Sequence, residues 1–132
     1  MHLAQVTVIV DDYDTAIEFF VDALGFELVE DSPAETNAGL PKRWVVVRPP
    51  GAATGLLLAR AEGEQSSRIG DQFGGRVGLF LRVDDFDAQH ARMLAHDVTF
   101  MEAPRHEPYG TVAVFRDVAG NLWDLLGPPP AV

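Results

Sequence analysis

The sequence predicts an α+β fold built from two similar βαβββ modules. The first observation is a repeat: "VDDYD" at residues 10–14 returns as "VDDFD" at residues 83–87. The second is that each copy is preceded by a strand-like apolar run and followed by a helical run and three further strand-like runs. Internal similarity at this spacing indicates a duplicated supersecondary unit.

The first module begins with a strand over residues 3–10. Asp12 stands at the N-cap of the following helix, where its carboxylate can accept from free N–H groups of the first turn. Tyr13, Phe20 and Leu24 fall on one apolar face of that helix, and Gly25 suits the positive φ just past its end. Three strands are then predicted, "FELVE" at 26–30, "RWVVVR" at 43–48 and "TGLLLAR" at 54–60.

The second module follows the same order. A strand over residues 77–83 leads to a helix capped by Asp85, and the strands "VTFME" at 98–102, "GTVAVFR" at 110–116 and "GNLWDLL" at 120–126 complete it. His90 lies on the apolar face of the predicted helix and is interpreted as a half-buried structural histidine.

We expect one domain over residues 1–132, with modules at 1–60 and 76–128 joined by a linker at 61–75. The linker is rich in Gly, Ser and charged residues. A unit of about sixty residues buries too little surface to be stable alone, so the two modules are expected to share buried surface. A second predicted loop, residues 31–42, has the length to cover a site.

Composition restricts the classes of partner. The chain has no cysteine, which excludes disulfides and thiolate ligands, and its formal net charge is −10. An acidic surface repels phosphate backbones and anionic membranes, so we expect neither nucleic acid nor membrane as a partner. No apolar run is long enough to span a bilayer and the N-terminus carries no basic segment, so we expect a cytoplasmic location. The charge favours a cationic ligand, although acidic surfaces most often serve solubility alone.

The runs "VTVIVDDYDTAIEFFVDALGFELVED" and "YGTVAVFRDVAGNLWDLL" resemble the vicinal oxygen chelate superfamily, which includes glyoxalases, bleomycin-resistance proteins and extradiol dioxygenases. The resemblance extends over nearly the whole chain. It implies a half-open, eight-stranded, barrel-like sheet with the helices outside and a cavity within. It also implies a homodimer.

Enzymes of this superfamily hold one divalent metal through four side chains, and the resemblance places those positions at Gln5, Gly78, Asp124 and either Leu57 or Ala59. A catalytic divalent site needs two or three histidine or carboxylate ligands and an open water position. Only Asp124 is a strong ligand here. We therefore expect no cofactor; a divalent metal is the alternative, anchored by Asp124 with help from other residues such as His2 or His106.

The same resemblance identifies the residues expected to line the cavity. Strand alternation puts Gln5 and Thr7 on one face of the first strand and Phe80 and Arg82 on the matching face of the fifth. Trp123 and Asp124 are neighbours on one strand, so they face opposite ways, and the resemblance turns Asp124 inward. Two residues of the "APRHEPYG" segment are expected at the cavity rim, namely His106 and Tyr109.

Two functions remain open, and no catalytic residue is assigned. The first is a metal-free protein that binds a small, partly apolar or cationic molecule in the cavity, as resistance proteins sequester a drug. The second is a lyase, isomerase or dioxygenase of the same superfamily that recruits a metal through substituted ligands. The number of available metal ligands favours the first function.

Overall fold

The structure is a computed structural model that describes residues 1–129. The chain divides into two compact units, unit 1 over Met1–Ile69 and unit 2 over Gly70–Val132. Each unit carries one four-stranded mixed sheet and one principal helix, so the predicted α+β class with a duplicated module is confirmed. No helix within residues 1–129 has the length and apolar character to cross a membrane.

Unit 1 holds four strands in the spatial order β1-β4-β3-β2. The first and fourth strands run parallel, and the other neighbours are antiparallel. A 3₁₀ helix at Gly63–Arg68 follows the last strand, inside the segment predicted as a linker. The strands are β1 (Gln5–Val10), β2 (Glu27–Glu35), β3 (Pro41–Arg48) and β4 (Gly55–Arg60), and the helix α1 (Tyr13–Glu18) lies between the first two.

The helix of unit 1 begins and ends for identifiable reasons. The Asp12 carboxylate accepts from the Thr15 N–H at 2.8 Å, which is the predicted N-cap. The helix continues beyond Glu18 as a π-helical segment, Phe19–Ala23, in which the Leu24 N–H donates to the Phe19 carbonyl. Gly25 then takes a φ of 84°, a left-handed conformation that favours glycine. The apolar face packs into the core with Phe20 completely buried.

Unit 2 repeats the arrangement with the spatial order β5-β8-β7-β6. The outer pair of first and last strands is again parallel. The Asp85 carboxylate accepts from the Ala88 N–H and caps the helix as predicted. The elements are β5 (Val77–Arg82), α2 (Phe86–Ala95), β6 (Arg105–Glu107), β7 (Gly110–Arg116) and β8 (Leu122–Leu126).

The turn before β8 is held by the carboxylate of Asp117, which is 5% exposed. One oxygen, Oδ1, accepts from the backbone N–H groups of Ala119, Gly120 and Asn121, each at 2.9 Å. The other, Oδ2, accepts from the Trp123 indole N–H at 2.9 Å. A buried carboxylate needs such donors to offset its lost hydration. This turn therefore fixes where β8 begins, and with it the position of Asp124 in the sheet.

Two boundaries differ from the prediction. The strand β2 runs on to Glu35, through most of the first half of the expected loop at 31–42; Pro33 is tolerated because β2 is an edge strand. In unit 2 the expected strand at 98–102 is reduced to a single bridge between Phe100 and Phe115, and the short strand β6 lies further along the chain. Pro104, which has no N–H to donate to a ladder, separates the two.

Candidate functional site

The strand register of unit 2 sorts its side chains onto two faces. Partner residues on neighbouring strands point to the same face of a sheet, so Phe80, Val114 and Asp124 form one row across β5, β7 and β8. Trp123 points the opposite way, is 3% exposed and stacks on Phe115. We call the face that carries Asp124 the open face of unit 2. The Phe80 side chain on it is 63% exposed.

Asp124 is the ionisable group at the middle of this open face. Its Oδ1 atom is buried and has no hydrogen-bond partner within residues 1–129, while the residue as a whole remains partly exposed. Burial raises the pKa of the carboxyl, since the charged form loses hydration; Arg105 lowers it by attraction and Glu102 raises it by repulsion. The carboxylate is thus placed where a donor from outside the chain would stabilise its charge.

Glu102, Arg105 and Glu107 form a linked group of charged side chains on the side of the sheet that carries Asp124. The Arg105 Nε donates to Glu102 at 3.0 Å, and its Nη1 donates to Glu107 at 2.7 Å. Register places Arg105 beside Val112, and hence on the open face. The sequence analysis missed Arg105 because it predicted no strand between residues 102 and 110, where β6 and β7 form a tight hairpin, and it placed Glu102 in a strand without giving it a role.

The other predicted site residues of unit 2 do not all lie on the face that carries Asp124. His106 pairs with Thr111, its Nδ1 lies 3.2 Å from the Thr111 Oγ1, and register turns it to the face opposite Asp124. Tyr109 lies in the hairpin turn and is 60% exposed. Arg82 is exposed at the end of β5, on the open face, and within residues 1–129 it forms no ion pair with Asp124. The structure therefore brings Phe80 and Arg82, but not His106, to the face of Asp124.

Unit 1 has a corresponding open face of its own. Gln5 pairs with Gly55, Thr7 with Leu57 and Ile9 with Ala59, so these residues share one face of the sheet. Thr7 occupies the place in its module that Phe80 occupies in unit 2, and Leu57 therefore corresponds to Asp124. Of the two candidates for the fourth metal position, register selects Leu57.

Trp44 lies on this face too, because it shares the side of β3 that carries Val46, the partner of Leu57. Its side chain is 37% exposed, and it lines a cavity of about 160 Å³ with Lys42, Arg60 and Glu62. The sequence analysis gave Trp44 no role beyond its place in a predicted strand. Only the register of β3 against β4 places Trp44 on this face. The run "RWVVVR" has apolar side chains on both faces, so it shows no alternation from which the face of Trp44 could be predicted.

Residues 2–125 match the family described as the glyoxalase/bleomycin resistance protein/dioxygenase superfamily. The chain belongs to this superfamily. A protein of Shewanella frigidimarina (strain NCIMB 400) is 50% identical over 126 residues, which is 94% of this chain and 91% of that protein.

Solved structures agree with the superfamily assignment. TnmS3, an antibiotic binding protein from Streptomyces sp. CB03234, superposes with a TM-score of 0.76 at 34% identity, covering 97% of this chain and 96% of that one. A glyoxalase/bleomycin resistance protein from the same Streptomyces gives a TM-score of 0.71 at 33% identity, covering 95% and 99%.

The metal that superfamily enzymes hold does not fit the residues present here. No group of three or more His, Asp or Glu side chains gathers anywhere in residues 1–129. Leu57 offers no donor atom, and Gln5 offers only a neutral amide. At Gly78 even a Cβ is excluded, because it would lie 2.5 Å from Phe73 Cδ1 and closer still to Cγ and Cδ2 of that ring. An aromatic ring thus fills the space that a ligand side chain at residue 78 would need.

Proposed function

We propose that this superfamily member binds a small, partly apolar molecule that carries a positive charge or a hydrogen-bond donor, and that it does so without a resident metal. The observation that carries the proposal is the position of Asp124. It is a carboxylate in the middle of an open sheet face, beside the exposed ring of Phe80, and its buried Oδ1 has no hydrogen-bond partner within residues 1–129.

The chemistry of that face fits such a ligand. Small-molecule sites are mostly apolar surfaces with a few polar groups that fix orientation. Phe80 and Val114 flank Asp124 on the neighbouring strands and supply apolar surface, while Asp124 supplies one acceptor. A donor placed against this carboxylate would offset the hydration that burial has removed, and a cationic donor would do so most strongly. Arg82, at the end of β5, can contact a ligand at the edge of the same face.

Unit 1 supplies a second surface of similar character. Its open face combines the neutral polar groups of Gln5 and Thr7 with Leu57 and the exposed ring of Trp44. We assign these residues to ligand contact as well. Tyr109 and His106 remain proposed as rim residues, Tyr109 in the hairpin turn and His106 on the face of β6 that is turned away from Asp124. The antibiotic binding described for TnmS3, at 34% identity, supports sequestration as the activity.

Binding can be tested with proflavine, a planar aromatic cation whose fluorescence polarisation rises on binding. We expect saturable binding to the full chain and at least tenfold weaker binding by Asp124→Asn, because loss of one charged contact costs about 1.5–3 kcal/mol. Phe80→Ala should weaken binding as well. The matched control, Asp84→Asn, removes an exposed carboxylate in the bend beyond the end of β5 and should bind as the wild type does.

An aromatic sulfonate of equal ring size should bind at least tenfold more weakly than proflavine, since Asp124 would repel its charge. Equal affinity for both dyes, or for wild type and Asp124→Asn with the fold intact by circular dichroism, would overturn the proposal. The enzymatic alternative is tested on the same preparation by elemental analysis. About one iron, zinc, nickel or manganese ion per chain would favour it.

Two further parts of the proposal concern the setting. We propose a homodimer, which analytical ultracentrifugation would detect as twice the mass of the 14.4 kDa chain. We also propose a cytoplasmic location, which fractionation of the source cells would test.

A further inference from the structure

Unit 2 also contains a recess at the end of its sheet, where β7 ends and β5 begins. It has a volume of about 180 Å³. Two arginines line it, Arg76 and Arg116, together with Phe73 and Leu122. We call it the arginine recess.

The backbone explains why the two arginines meet there. Leu122 pairs with Val77 on one side and with Arg116 on the other, so Arg116 and the residue after Arg76 flank the same position of β8. Two strand spacings, about 10 Å, separate the backbones of Arg116 and Val77, and both Arg76 and Arg116 line the recess at this end of the sheet. The turn from Phe73 to Arg76 is closed by a hydrogen bond from the Arg76 N–H to the Phe73 carbonyl, and both residues line the recess.

The charge of the recess is opposite to that of the protein. The chain has 20 acidic and 10 basic residues, yet no acidic side chain lines this recess. Both arginines are exposed, and neither forms an ion pair with another residue in the described range 1–129. By contrast, two cavities of unit 1 that contain arginine also contain Glu62. The neighbouring Asp117 is already occupied by backbone and indole N–H groups.

We propose that the arginine recess binds a small oxyanion, a carboxylate or a phosphate. A guanidinium presents paired N–H donors that match the two oxygens of such a group, and two guanidiniums left without carboxylate partners form a ready site for one. Phe73 and Leu122 supply apolar surface for a short carbon chain attached to the anion. Arg116 lies on the same face of the sheet as Asp124, but Asp124 does not line this recess, so the anion site is tested independently of the proflavine experiment.

The test is a titration of the full chain with sodium phosphate and, separately, with sodium acetate, at an ionic strength held constant with chloride. The arginine Nε–Hε signals are followed by NMR. We expect saturable shifts at Arg76 and Arg116 for at least one of the two anions, and the anion that binds identifies the class. Arg76→Gln and Arg116→Gln should each weaken binding about tenfold, the effect of losing one charge-assisted contact.

Matched controls separate this outcome from the alternatives. Arg60→Gln removes an exposed arginine from unit 1 and should leave binding unchanged. The proposal is overturned if neither anion produces saturation, or if the double variant Arg76→Gln/Arg116→Gln binds as tightly as the wild type. All the substituted arginines are exposed, and thermal unfolding checks that the variants remain folded.

Discussion

Replacing Gly78 by alanine is expected to destabilise the protein because Phe73 already fills the space of a side chain at this position. The new Cβ would lie 2.5 Å from Phe73 Cδ1, whereas carbon atoms at rest are about 3.5–4.0 Å apart. The ring must therefore move by about 1 Å or more. The atoms that clash lie at the base of the ring, so rotation about its own axis cannot relieve the contact.

The size of the effect follows from two opposing contributions. Overpacking of this kind costs about 1–3 kcal/mol in the free energy of unfolding. Alanine recovers about 0.4–1 kcal/mol by restricting the unfolded chain, since Gly78 does not have a positive φ. We expect a net loss of about 1–2 kcal/mol, which for a chain of this size lowers the melting temperature by about 3–6 °C per kcal/mol.

A double-mutant cycle identifies the cause. In the Phe73→Ala background the obstruction is gone, so Gly78→Ala should become neutral or slightly stabilising, with a coupling energy of about 1–2 kcal/mol in urea denaturation. Equal destabilisation by Gly78→Ala in both backgrounds would refute the reasoning. In that case Phe73 would not occupy the space, and a metal ligand at residue 78 would be sterically possible.

Three further substitutions test the account, with the exposed Asp84→Ala as the common control. Asp117→Ala should cost about 3–5 kcal/mol in urea denaturation, because it leaves the buried N–H groups of Asn121 and the Trp123 indole without an acceptor. A loss no larger than that of the control would contradict the role of this turn. Asp85→Ala should cost about 1 kcal/mol through the lost N-cap, and an unchanged melting temperature would count against it. Burial raises the pKa of Asp124 in the folded state above its value in the unfolded chain. Ionisation of this carboxyl therefore lowers the free energy of unfolding as pH rises through the interval between the two pKa values. Asp124→Asn should therefore gain stability relative to wild type across that rise, and a difference that does not change with pH would oppose the assignment.

The repeated pattern was sufficient to predict the fold. Caps at Asp12 and Asp85, and strand-like runs at matching distances from them, gave two copies of one unit, and the structure has both. Alternation also predicted that Trp123 and Asp124 face opposite ways. These features are local, because each depends on residues within one turn of helix or one strand.

What the sequence could not supply was register. The pairing of Thr7 with Leu57, and of Phe80 with Asp124, depends on contacts between strands that are distant in the chain. The same holds for His106, which its pairing with Thr111 turns away from Asp124. A one-residue change in register moves a side chain to the other face, so residues near strand ends are the hardest to place.

The short strand β6 shows a second limit. The run at 98–102 has good strand propensity, but it contributes only a single bridge, and pairing resumes beyond Pro104. Arg105 reaches the open face only because of this shift. Turn chemistry around Pro108 and Gly110 closes the hairpin, and that signal was present in the sequence as proline followed two residues later by glycine.

The most direct test of the central claim, ligand binding through Asp124 without a metal, is a proflavine titration of the full chain before and after treatment with a strong chelator. We predict the same saturable affinity in both samples and no change when zinc, iron, nickel or manganese ions are added back. Binding that disappears on chelation and returns with one of these ions would contradict the claim.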